Sequence, residues 1–121
     1  MPTINYTESV LEISGREEGR KITWASMANG DIGQAYTRPP WSDRSLQVTG
    51  TFGSGGNCRI LGSNDGTNFA TLTDPQGNTL DITSAKIEQV SEATAEIKPQ
   101  ITAGDGTTSL TVTMIVLRKF K

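Results

Sequence analysis

The chain contains no histidine. That absence excludes Ser-His-Asp and Cys-His catalysis, and it removes the commonest general base near neutral pH and the commonest transition-metal ligand. There is one cysteine, Cys58, so no intrachain disulfide can form, which leans mildly towards a reducing compartment. A nucleophilic thiol would need an unusual base here, and Cys58 reads instead as a small apolar core residue of a strand. Long hydrophobic runs are missing, since no stretch approaches the roughly 18 apolar residues of a membrane span. The start, Met1 to Glu8, lacks the basic region and apolar run of a signal peptide.

Charge of one sign is also lacking. Eleven basic and thirteen acidic residues leave a net charge of −2, and the only basic cluster is Arg118-Lys119-Phe120-Lys121. Binding to a polyanion relies on a basic face and counterion release, so neither nucleic acid nor a membrane is the expected partner. The terminal cluster reads as a solvated tail after an edge strand. Sustained helical periodicity is absent too: Ser84 to Ala95 comes nearest, but Ile87, Val90 and Ala93 are too few to hold a helix.

What is present has a period of two. In Leu46 to Phe52, apolar Leu46, Val48 and Phe52 alternate with Gln and Thr, as in a half-exposed antiparallel strand. The closing segment differs. Leu110, Val112, Met114 and Val116 share one face, while Thr111, Thr113, Ile115 and Leu117 share the other. Either this strand is central and covered on both sides, or its outer face meets another molecule. Ile22 to Met27, Cys58 to Leu61, Phe69 to Leu72 and Leu80 to Thr83 supply further strands, the last two flanking the turn Asp74-Pro75-Gln76-Gly77-Asn78 as a hairpin. Lys86 to Val90 and Glu96 to Thr102 are weaker. Pro99 cannot donate a ladder hydrogen bond, which places the latter strand at an edge or gives it a bulge.

A chain of 121 residues has room for one core, and seven or eight short strands spaced by turns predict an all-β antiparallel sandwich or jelly roll. Residues 1–20 are read as an N-terminal arm or extra strand followed by an exposed loop over Ser14 to Lys21, and residues 21–121 as the single β-sandwich domain.

Candidate chemistry is thin, and the expectation is no enzyme, no cofactor and no metal. Asp65-Gly66, Asp74-Pro75 and Asp105-Gly106 are turn dipeptides whose carboxylates bond their own backbone, rather than a glycosidase pair. Asn64, Asp65, Asn68 and Asp74 offer hard oxygens for calcium, but not at EF-hand spacing. Gly50 to Asn57 is glycine-rich without the Gly-Lys-Ser/Thr ending of a phosphate cradle, and reads as a flexible hairpin loop. The most unusual stretch is Tyr36-Thr37-Arg38-Pro39-Pro40-Trp41-Ser42-Asp43-Arg44. Two prolines stiffen it and would present Tyr36, Arg38 and Trp41 together, residue types that dominate interface hot spots. Equally, Trp41 could fold back as a lid on the sandwich end.

The stretch Trp41 to Phe52, then Leu61-Gly62-Ser63-Asn64-Asp65-Gly66-Thr67-Asn68-Phe69, and Lys98 to Gly106 with the closing strand, resembles the decoration, or cement, proteins of tailed bacteriophages. Gly-Ser-Asn-Asp-Gly followed by an aromatic also occurs in discoidin-like sandwiches, whose pattern often includes a disulfide that Cys58 alone cannot supply. The resemblance implies a virion protein made in the host cytoplasm and placed on the capsid surface. It would bind the major capsid protein and itself, often as a trimer. Contact candidates are Ile4 and Tyr6 in the arm, Tyr36, Arg38, Pro39, Pro40 and Trp41 in the proline loop, and Ile115 and Leu117 on the outward face of the last strand. The alternative is a carbohydrate-binding or tail-accessory module of a virion, with Trp24, Trp41, Tyr6 and Tyr36 as the aromatics available for a sugar platform.

Overall fold

A computed structural model describes residues 2–13, 15–37 and 43–117. All of its regular structure is strand. In chain order the strands are β1 (Thr3–Ile4), β2 (Thr7–Ile13), β3 (Arg16–Met27), β4 (Ile32–Gly33), β5 (Tyr36–Thr37) and β6 (Asp43–Thr51), then β7 (Asn57–Ser63), β8 (Ala70–Thr71), β9 (Asp81–Ile82), β10 (Lys86–Val90), β11 (Glu96–Ala103) and β12 (Ser109–Leu117). Seven have five or more residues and five have only two. Six of the expected strands are among the long ones, while Phe69 to Leu72 and Leu80 to Thr83 shorten to β8 and β9. The seventh long strand, β2, lies in the segment read as an arm or extra strand.

Two sheets face each other. The first runs β1-β4-β11-β7-β8, with β5 also pairing β11 and β9 also pairing β7; the second runs β10-β6-β12-β3-β2. All pairings are antiparallel except β1 with β4. Period-two patterning accounts for the core. Leu110, Val112, Met114 and Val116 of β12, Leu46 and Val48 of β6, and Ile22, Trp24 and Met27 of β3 face Cys58, Ile60, Ile97 and Ile101 of the other sheet, all buried. Removing that much apolar surface from water is what holds the two layers together. The remaining crevice between the sheets, beside Trp24, Ile60, Pro99 and Met114, admits no water molecule.

Several local expectations change. Ser14 to Lys21 was expected as an exposed loop, yet β3 begins at Arg16 and pairs with β2 and β12, because the chain turns back at Gly15 (φ 77°). Gly50 to Asn57 is not a hairpin loop: β6 lies in one sheet and β7 in the other, so it is an arch between layers. A second arch joins β11 to β12, and the two are tied together. Ser54 N–H donates to Asp105 Oδ2 at 2.8 Å, and Thr108 Oγ1 donates to the Phe52 carbonyl at 2.8 Å.

The expected edge position of the Pro99 strand is corrected as well. β11 lies inside its sheet, with Pro99 opposite Ile60 of β7 and itself buried. On the other side, Ile101 N–H donates to Asp31 O at 2.9 Å, and strand alternation points the Pro99 nitrogen the same way. There the neighbouring chain is interrupted between β4 and β5 and asks for no donor. The register of β11 does shift between Ile101 and Ala103, the bulge that was the other expectation.

The hairpin around Asp74 forms, although its arms β8 and β9 each pair with β7 and meet through a Thr73–Thr79 bridge.

Candidate functional site

The outer face of the second sheet can be read row by row from the register. Leu11, Gly19, Leu117 and Asp43 form one row; Ser9, Lys21, Ile115, Ser45 and Gln89 the next; then Thr7, Thr23, Thr113, Gln47 and Ile87. The last strand is therefore central in its sheet but not covered on both sides, as one expectation required: its outer side chains lie on the surface of the two-layer molecule. That face is threonine-rich over most of its length and apolar at one end, where Leu11, Leu117 and Ile115 are half-buried. Gly19 helps to make the apolar end: a Cβ there would lie 2.3 Å from the Val116 carbonyl oxygen and 3.1 Å from Leu117 Cδ2, so Leu117 leans over the space the glycine leaves.

A depression of about 310 Å3 beside this end is lined by Asp43, Arg44, Ser45, Gln89 and Leu117. Arg44 itself points inward and is 4% exposed. Its Nη1 donates to Thr94 Oγ1 at 3.1 Å and its Nη2 to the Thr94 carbonyl, while its Nε has no partner. Burial pulls its pKa below the usual arginine value, with Tyr36 acting in the opposite direction. Strand pattern alone could not reveal this residue, since Arg44 sits at an inward position that apolar patterning fills elsewhere.

The contact candidates fall into three groups. Ile115 and Leu117 lie on the outer face described above. Ile4 and Tyr6 are engaged within their own domain: Ile4 pairs with Gly33 and packs on the core, and Tyr6 makes edge-to-face contacts with Trp24 (5.9 Å, 72°) and Tyr36 (5.4 Å, 81°). Tyr36 is corrected from an exposed loop residue to a buried one, 3% exposed, because β5 carries it into the sheet and its hydroxyl donates to Glu8 Oε2 at 3.0 Å. Arg38, Pro39, Pro40 and Trp41 lie outside the described residues. The chain around them leaves the first sheet after Thr37 and enters the second at Asp43, directly opposite Leu117.

The turn carboxylates do what turn chemistry expects. Asp65 Oδ1 accepts from Thr67 N–H and Asn68 N–H, both at 2.8 Å, and these bonds hold its carboxyl well below the usual range. Asp74 Oδ1 accepts from Gln76 N–H and Asn78 N–H. Bonds from Thr107 and from Ser54 N–H keep Asp105 ionised down to about pH 2. Among the described residues no group of three or more His, Cys, Asp or Glu could hold a metal, and no helix is long and apolar enough to cross a membrane. Cys58 is fully buried, and burial, followed by the charge of Asp81, pushes its thiol up to about 12.

The fold and this surface define a largely antiparallel β-sandwich with a partly apolar sheet face. No protein-family model matches the chain, and no curated protein matches it. Among solved structures, the crystal structure of SPBc2 prophage-derived protein YomS is similar to it, with a TM-score of 0.65 over 90% of this chain and 98% of that one, at 11% sequence identity. The two share the sandwich fold across nearly their whole lengths.

Proposed function

We propose that the chain is a bacteriophage virion structural protein of the decoration type, which binds the outside of the capsid lattice and stabilises it. The observation that carries this reading is the fold shared with a prophage-derived protein over 90% of this chain and 98% of that one. It agrees with the resemblance of Trp41 to Phe52, Leu61 to Phe69 and Lys98 to Gly106 to decoration proteins.

The chain acts by binding and carries out no turnover of its own. A protein that binds only the assembled lattice stabilises it by mass action, and symmetry repeats many weak contacts into avidity. The contact surface is the apolar end of the outer face, Leu11, Ile115 and Leu117, with Arg38, Pro39, Pro40 and Trp41 as further candidates from the sequence. A sugar-binding role draws less support, since Trp24 is 1% and Tyr36 3% exposed and neither can serve as a platform.

The test is co-sedimentation of purified protein with capsids lacking it, followed by thermal melting of those capsids. Binding with a raised capsid melting temperature is expected. Leu117→Asp or Ile115→Asp, folded by circular dichroism, should weaken binding by about 30-fold, the scale of losing an interface anchor. Failure of the wild-type protein to bind would overturn the proposal, and retention on a glycan array would replace it with the sugar-binding reading.

A further inference from the structure

The second sheet ends in two edges of different character. At one edge lies β10, whose only strand partner among the described residues is β6. On its outer face stands Ile87, 62% exposed, the most exposed large apolar side chain among the described residues. An open strand edge with an exposed apolar residue is a template for another strand, and proteins usually blunt such edges with charge. Here the charges have opposite signs and are evenly placed. Lys86 and Glu88 flank Ile87, share the opposite face, and form an ion pair of 3.5 Å within the strand.

That arrangement is self-complementary in one register. If β10 of a second copy runs antiparallel with Ile87 opposite Ile87, each Lys86 faces the other copy's Glu88. The twofold axis then yields two opposite-charge pairs on one face and an apolar pair on the other, with side chains of facing residues about 5 Å apart. A slip of one residue opposes Ile87 to a charge and loses the match. The edge at β2 lacks this property. Its sequence Glu8-Ser9-Val10-Leu11-Glu12 is acidic on both sides of Val10, 44% exposed, so antiparallel self-pairing there sets like charge on like. The edge strands of the first sheet, β1 and β8, have two residues each, too short for a ladder.

We propose that a second copy of this chain docks on β10, joining two second sheets into one continuous ten-stranded sheet by antiparallel pairing about Ile87. This is independent of capsid binding and uses a different edge of the domain from the Leu117 end.

The experiment is size-exclusion chromatography with light scattering on the full chain over a range of concentrations. A dimer is expected. Lys86→Glu and Glu88→Lys each convert two attractive pairs to repulsive ones and should weaken dimerisation about tenfold or more, while the double reversal restores it. Ile87→Cys should give a disulfide-linked dimer on mild oxidation, and native Cys58, fully buried, leaves that readout clean. All three positions are on the surface strand, so the variants remain folded by circular dichroism. A monomer at every concentration, a trimer or larger ring, or a dimer indifferent to both reversals would overturn the proposal. None of these outcomes alters the capsid-binding result.

Discussion

Gly33 lies against Pro99 so closely that a Cβ at position 33 would be 2.5 Å from Pro99 Cδ and 2.8 Å from Trp24 Cδ1. The proline ring fills the place where β4 gives way to β5, and the glycine leaves room for it. Replacing Gly33 by Ala therefore overpacks a rigid contact and should cost about 2 kcal/mol in denaturant unfolding. Pro99→Ala in the same background removes the ring atoms that clash and should recover much of that loss, a coupling read directly from a double-mutant cycle.

Arg44 is a buried cation whose hydrogen-bond partners among the described residues are the hydroxyl and carbonyl of Thr94. Desolvating a guanidinium without an opposing carboxylate disfavours the folded state. Arg44→Met keeps most of the side-chain volume and removes the charge. Its unfolding free energy should equal or exceed wild type by about 1 kcal/mol. A loss of several kcal/mol in urea unfolding would show that the bonds to Thr94 outweigh the burial of charge.

Acid should loosen the turns before the core. Asp65 and Asp105 have folded pKa values below their unfolded ones because neighbouring donors bond the ionised form, Asn68 foremost for Asp65 and the Thr107 hydroxyl foremost for Asp105. Their contribution is complete above the unfolded carboxylate pKa of about 3.9 and is lost as pH falls towards the folded value. For Asp105 that value is about 2, so the window lies between about pH 4 and pH 2. Asp65→Asn and Asp105→Asn should each flatten the stability profile in that window, as followed by thermal melting at a series of pH values.

Cys58 works in the opposite direction. Its thiol is raised to about 12 in the fold, against about 8.5 in an unfolded chain. Stability from this group is intact below about pH 8.5 and declines as pH rises towards 12. Cys58→Ala should remove that alkaline decline at a cost of about 1 kcal/mol at neutral pH. Native protein should also resist thiol alkylation that proceeds at once in denaturant.

The strands that alternate cleanly were legible in the sequence, because a period of two fixes which side chains are inside whatever the partner strand is. Leu46, Val48 and Phe52 were placed on one face, and Leu110, Val112, Met114 and Val116 on another; all are buried except Phe52, which is partly buried. The roles of Asp65, Asp74 and Asp105 were legible for a similar reason, since a turn carboxylate bonds its own neighbours. Pairing partners were not. The missing N–H of Pro99 pointed to an edge or a bulge; β11 does carry a bulge, but nothing local says that the strand lies inside its sheet beside a neighbour that breaks where that N–H would have been needed. Tyr36 was grouped with Arg38 and Trp41 because they are close in sequence, whereas a two-residue strand turns it inward onto Tyr6. The Leu117 end was half legible: two apolar faces on one strand announced an unusual surface, but Gly19 and Leu11 joined it only through register.

The order of strands has one more consequence. β12 lies between β6 and β3, and β11 lies between β7 and β4, so the last third of the chain threads through both sheets. A cut in the exposed Pro75–Asn78 turn tip would leave a first fragment with a one-strand gap in each layer and a second fragment with the strands that fill them. Neither piece could close a core of its own. The nicked molecule would stay together and come apart only as a whole, melting in a single step that depends on concentration.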